Sequence, residues 1–179
     1  MNATNGSTNQ NKQQTRQTTN IVGDSIVSKL DGWKMSSKDN RVVVKSFPGA
    51  TVDDMVDNIK PILRKQPDNI VVHIGTNNLR EDEPNVVADK IVTLCESIEE
   101  AHPTCKISIS ELTTRRDNLE QARKQVNKAL SGFCRSRDWT LIKHSNITDK
   151  ELNEKGIHLN RAGVGTLAKN FNRHIKVTH

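Results

Sequence analysis

Short apolar runs recur along the chain, and between them apolar residues return at helical intervals. Ile21-Val22 is the first run. "RVVVKSF" (41–47), "NIVVHIG" (69–75), "KISISEL" (106–112) and "WTLIKH" (139–144) follow, all rich in β-branched residues. Runs of this length bounded by polar residues predict strands. Between the second and third runs, Thr51 with Asp54 reads as a capping box. Val52, Met55, Val56, Ile59 and Leu63 then fall at helical spacing. Pro84, suited to a first turn, opens a second helical pattern through Val87, Ile91, Leu94 and Ile98. Leu119, Ala122, Val126, Leu130 and Phe133 make a third stripe, and a last helix is expected from about Ala162 to Ile175. Strands alternating with helices predict βαβ units with right-handed crossovers. The expected fold is α/β: a flavodoxin-like three-layer sandwich, with a five-stranded, mostly parallel sheet and helices on both faces.

Composition sets the boundaries. The first nineteen residues are mostly Asn, Thr and Gln. They cannot bury enough apolar surface to offset the entropy of ordering them. Residues 1–19 are therefore expected to be a disordered tail or linker, and 20–179 a single domain. The tail lacks the apolar stretch of a secretory signal, and no apolar run approaches the roughly 20 residues of a membrane span. Cys95, Cys105 and Cys134 have no CxxC spacing and read as buried free thiols; the expected setting is cytoplasmic. The net charge of +6 is spread along the chain, and with no Tyr, three Phe and two Trp a stacking platform for single strands is weak.

In open α/β sheets, sites lie beyond the carboxyl ends of the strands, and polar residues gather there. The first strand is followed by Gly23-Asp24-Ser25 and the second by Ser46 through Thr51, with Gly49 among them. Gly75-Thr76-Asn77-Asn78 follows the third, Thr113-Thr114-Arg115 the fourth, and a long loop after the fifth ends in "GIHLNRAG" with His158. A serine needs a base to act as a nucleophile at neutral pH, and histidine is the usual one. Acyl transfer needs donors aimed at the developing oxyanion. The Ser25 and Gly49 amides and the Asn77 side chain are candidates, and Gly49, lacking a Cβ, suits close approach to a substrate. The plain alternatives are a turn serine at 25, a turn glycine at 49, an asparagine closing its own loop at 77 and a packed surface histidine at 158. Asp24 reads as a local loop hydrogen-bonder and His73 as a core histidine; His102, His144, His174 and His179 show no pattern. No metal-ligand spacing and no nucleotide motif is present, so no cofactor is expected.

Taken in order, these stretches resemble the SGNH hydrolases, the superfamily that includes GDSL-type lipases and esterases. Its blocks Gly-Asp-Ser, a lone Gly, Gly-x-Asn-Asp and Asp-x-x-His align with Gly23-Asp24-Ser25, Gly49, Gly75-Thr76-Asn77-Asn78 and Lys155-Gly156-Ile157-His158. The resemblance covers about residues 20–173. It implies Ser25 as nucleophile, His158 as base, an oxyanion hole of Ser25, Gly49 and Asn77, and acetyl, acyl or lipid esters as substrates. "VVVKSFPGAT", "DNIVVHIGTNNL" and "KGIHLNRAG" resemble more narrowly the esterase domain in the first open reading frame of animal non-LTR retrotransposons. That likeness implies RNA and membrane lipid as partners. Two positions depart from the pattern: Asn78 ends the third block, and Lys155 stands where the family carries the carboxylate that orients the histidine. The expectation is a Ser25–His158 dyad whose Nδ1–H is accepted by a backbone carbonyl of the preceding loop. The alternative is a catalytically silent fold serving as an RNA- or lipid-binding module.

Overall fold

A computed structural model describes residues 15–177. Five strands, β1 (Gln17–Gly23), β2 (Asn40–Ser46), β3 (Asn69–His73), β4 (Lys106–Ser110) and β5 (Thr140–Ile142), form one sheet in the order β2-β1-β3-β4-β5. Every pairing is parallel. The helices are α1 (Gly32–Met35), α2 (Val52–Asn58), α3 (Lys60–Leu63), α4 (Pro84–Ala101), α5 (Glu120–Ser136) and α6 (Arg161–Val177). The architecture is the expected α/β sandwich with flavodoxin-like strand order.

Neighbouring strand residues feed two separate cores. Val22 and Val72 pack with Met55, Ile91, Leu94 and Leu130 of α2, α4 and α5. Ile21 and Val71 pack on the other face with Leu167 and Phe171 of α6. Covering both faces is why Ile21-Val22 of β1 and Ile70-Val71-Val72 of β3 read as continuous apolar runs rather than alternating ones. β4 differs: Ile107 and Ile109 enter the first core, while Ser108 and Ser110 face the α6 side, where histidines meet them.

Two expectations need correction. β1 begins at Gln17, before the expected boundary at residue 20, and Thr19 and Asn20 are buried. Their polarity hid them: Thr19 and Asn40 exchange side-chain hydrogen bonds at 3.0 and 2.9 Å, which compensates the burial of Thr19. Residues 1–14, most of the predicted tail, lie outside the described residues, as does His179. The single helix expected over 51–63 breaks at Ile59 into α2 and α3. Pro61 has no N–H to donate to Asp57, and its ring would crowd that carbonyl in a continuous helix. Val56 on the predicted stripe is 44% exposed. The three cysteines are free and buried, and burial pushes the Cys105 thiol up to about 12. No described helix is long and apolar enough to cross a membrane.

Candidate active site

The strand ends converge. In register, Gly23 pairs with Ser46 on one side and His73 on the other, so the loops after β1, β2 and β3 leave the sheet at one level. Beyond Gly23 the chain turns into a 3-10 helix, Ser25–Val27, capped by Asp24, whose Oδ1 accepts the Ile26 N–H at 2.9 Å. Asp24 is completely buried and its Oδ2 has no hydrogen bond of normal geometry among the described residues. Burial pushes this carboxyl up to about 6, against the partial opposition of the Ile26 N–H and the Thr76 side chain. Its work is to shape the turn, as the sequence suggests.

Ser25 is half-buried at the mouth of that turn, and its Oγ lies 3.0 Å from His158 Nε2. His158 is carried by a small loop. Leu152 and Leu159 form an isolated antiparallel bridge, the Asn153 N–H donates to the His158 carbonyl at 2.8 Å, and the Asn160 N–H donates to the Glu151 carbonyl at 2.8 Å. Here the expected dyad is corrected in one respect: no carbonyl accepts from His158 Nδ1 among the described residues. Nor does a nearby acid replace the family carboxylate. Glu151 accepts from the Thr148 N–H and hydroxyl, both at 2.7 Å, and Glu154 and Lys155 are exposed.

Gly49 and Asn77 stand together through their local structure. Phe47 to Ala50 is a type II turn closed by the Ala50 N–H on the Phe47 carbonyl at 3.0 Å, with Pro48 and Gly49 (φ +81°) in the middle. A Cβ on Gly49 would meet nothing within 4 Å. The turn itself needs glycine there for its positive φ. Asn77 Nδ2 donates to the Ala50 carbonyl at 2.9 Å, which leaves its second N–H to point elsewhere. Asn78 is buried; its Oδ1 accepts the Val52 N–H at 2.9 Å and its Nδ2 donates to Asp82 at 2.9 Å. Together with the Thr51–Asp54 capping box, these bonds fix the start of α2 against the loop after β3.

Two small clefts flank this arrangement. One of about 160 Å³ is lined by Ser25, Ile26, Ser28, His158, Leu159 and Val164. The other, of about 300 Å³, includes Gly49, Asn77, Asp53, Arg80, Asp82 and Lys90. Separately, a buried polar chain lies under the α6 face. His73 Nδ1 and His144 Nε2 sit 2.8 and 2.7 Å from Ser110 Oγ, and His144 Nδ1 lies 3.0 Å from Asn170 Nδ2. Burial pushes His73 down to about 4 and His144 to about 3, the latter with a smaller push from His73. Both are neutral at pH 7. The Ile–Ser alternation of β4 was the signal for this chain, and it was not legible without knowing what faced the serines.

A serine hydroxyl within hydrogen-bond distance of an imidazole nitrogen is an arrangement that can activate the hydroxyl for attack on a carbonyl. The sequence pattern of the GDSL-like lipase/acylhydrolase family matches residues 6–164. The chain belongs to this family. Solved structures place this GDSL-like protein among similar folds. A lipase/acylhydrolase from Enterococcus faecalis superposes with a TM-score of 0.74 at 18% identity, covering 90% of this chain and 96% of that one. A GDSL-like lipase from Bacteroides thetaiotaomicron gives 0.77 at 11% identity, over 91% and 89%. The psychrotrophic esterase EstA from Pseudoalteromonas sp., in a structure inhibited by monoethylphosphonate, gives 0.73 at 16%, over 89% and 97%. Comparison of the GDSL-like chain with curated proteins returned no match. Among its described residues, no three metal-ligating side chains gather into a site.

Proposed function

We propose that the protein is a serine esterase acting on short acyl esters. The 3.0 Å contact between Ser25 Oγ and His158 Nε2, made across 133 positions of sequence, carries the reading. In the reaction, His158 Nε2 takes the Ser25 proton as Oγ bonds to the ester carbonyl carbon. The Ser25 and Gly49 amides and the Asn77 amide hold the oxyanion. His158 returns the proton to the leaving alcohol as its C–O bond breaks, and water repeats the sequence on the acyl-serine. Short acyl groups are favoured because the apolar walls beside Ser25 are only Ile26, Leu159 and Val164 in a cleft of about 160 Å³. The neighbouring cleft carries Asp53, Arg80, Glu81, Asp82 and Lys90, which suit a polar alcohol better than a long acyl chain. A fluorophosphonate tests the activated serine without knowledge of the substrate: Ser25 is expected to be labelled, and Ser25→Ala to lose both labelling and p-nitrophenyl acetate hydrolysis while staying folded. Turnover that survives in the alanine variant rejects the assignment.

A second reading, a silent fold used as a binding module of a retrotransposon protein, is favoured by one surface. Trp33 is 84% exposed beside a shallow cleft of about 860 Å³ whose lining includes Arg16, Lys34, Lys38 and Arg41 and no acidic residue. Clustered cations with an indole suit single-stranded RNA, and an interfacial Trp with basic residues also suits anionic lipid. A steep salt dependence of RNA binding together with an unlabelled Ser25 would replace the first reading with this one. Vesicle binding without RNA binding would name lipid instead.

A further inference from the structure

The loop after β4 puts two arginines side by side, and they reach in opposite directions. Arg115 is buried, with 4% of its surface exposed. Its Nε donates to Asp117 at 2.6 Å, and its Nη1 donates to the Thr76 carbonyl at 3.3 Å, next to Asn77. Arg116 turns outward to the loop that carries His158. Its backbone N–H donates to the Gly156 carbonyl at 2.8 Å, and its guanidinium donates to the Asn153 carbonyl. The side chain also lies flat on Gly156. A Cβ at that glycine would stand 2.8 Å from Arg116 Cβ and 3.1 Å from its Nε, and the backbone there has φ +75°. Loop 153–158 is thus tied at its tip and at its base from one neighbouring segment, while Glu154 and Lys155 on its other side are exposed.

Resting on the reading of His158 as the base, we infer that Arg116 is a positioning residue for it. Among the described residues the His158 imidazole is bonded only through Nε2, to the serine, so its second nitrogen gives the ring no further anchor. Its placement is inherited from the loop backbone, and the Arg116 guanidinium fixes that backbone by holding Asn153, the residue whose N–H meets the His158 carbonyl at 2.8 Å. Arg115 does the corresponding work for the loop of Asn77. The pair spans the site and keeps base and oxyanion donor at a fixed separation.

The test is Arg116→Ala beside Arg116→Lys in the full chain, with two readouts. Hydrogen–deuterium exchange is expected to rise in residues 152–159 of the alanine variant and to stay unchanged in the sheet. Unchanged exchange in that loop overturns the brace whether or not Ser25 reacts. The rate of Ser25 labelling by a fluorophosphonate and kcat for p-nitrophenyl acetate are expected to fall together by about 10- to 100-fold, the scale of a misplaced catalytic group. KM should hold, and lysine, which keeps one reaching donor, should recover part of the loss. An effect on KM alone would make Arg116 a substrate contact instead. A loosened loop with an undiminished labelling rate would also reject the positioning role. Native protein that takes no label at all removes the esterase reading and leaves the exchange result to decide the brace.

Discussion

Among the described residues, His158 meets Ser25 through one ring nitrogen and leaves the other without a partner, and two substitutions at the candidate site test the esterase reading. Lys155 occupies the position from which a carboxylate would reach that open nitrogen in the family pattern, and it is exposed. An acidic residue there would accept the Nδ1–H, select the tautomer and stabilise the imidazolium. In one triad protease, loss of that orientation costs about 10⁴ in kcat, an effect measured on another enzyme. Lys155→Asp is therefore expected to raise kcat at least about tenfold, read from steady-state ester hydrolysis; no change would mean that the loop alone already orients the ring. Asn77 is the second case. Losing one oxyanion donor typically costs about 10²–10³ in kcat, so Asn77→Ala should lower kcat far more than it raises KM; a change confined to KM would assign Asn77 to binding. As candidates, Ser25, Gly49 and Asn77 were legible because each follows a strand by two to four residues, and His158 because it lies near the end of the long loop after β5. The open Nδ1 and the Arg116 tie were not, because both depend on how two loops from distant parts of the chain lie against each other.

Among the elements, α2 shows why this chain has Asn78 where the family pattern has aspartate. The Asn78 Oδ1 caps the Val52 N–H, a role a carboxylate fills equally well. Its Nδ2, however, faces Asp82 at 2.9 Å and Asp53 at 3.5 Å, and Lys90 already bridges those two acids at 3.0 and 2.9 Å. A third carboxylate would lose both donations and add like-charge repulsion. Asn78→Asp should destabilise the fold by about 1–2 kcal/mol in urea unfolding at pH 7, with most of the loss recovered near pH 4; an unchanged midpoint would show that Lys90 alone suffices. The capping box of α2 was readable from Thr51 and Asp54, because both partners lie in one turn. The break at Ile59 was readable in principle from Pro61, but the apolar stripe running through it masked the stop.

On the scale of the molecule, three buried ionisable groups set how stability responds to acid. His73 and His144 titrate near 4 and 3 when folded and near 6.5 when unfolded, so below about pH 6.5 the unfolded chain binds protons the native chain cannot. Their contribution is lost as pH falls through that window. Asp24 titrates near 6 when folded and near 3.8 when unfolded, so its contribution runs the other way, growing as pH falls from 6 to 3.8. Two protons oppose one, and each is worth about 1.4 kcal/mol per pH unit. Unfolding free energy from urea titrations is expected to be about 2–3 kcal/mol lower at pH 5 than at pH 7; a higher value at pH 5 would mean that Asp24 dominates. The sheet order and both cores were legible, since alternating strand and helix patterns leave few topologies. The histidine chain was not, because its members come from β3, β4, α6 and the loop after β5. The same spread of parts along the chain governs when the reactive centre exists during synthesis. Ser25 leaves the ribosome 133 residues ahead of His158, on the order of ten seconds at typical elongation rates. A product cut short after α5 would hold Ser25, its turn and the loops of Gly49 and Asn77 yet lack His158, the proposed base. On the proposed esterase reading, reaction with a fluorophosphonate reports that translation has run through residue 158 and that the last loop has docked.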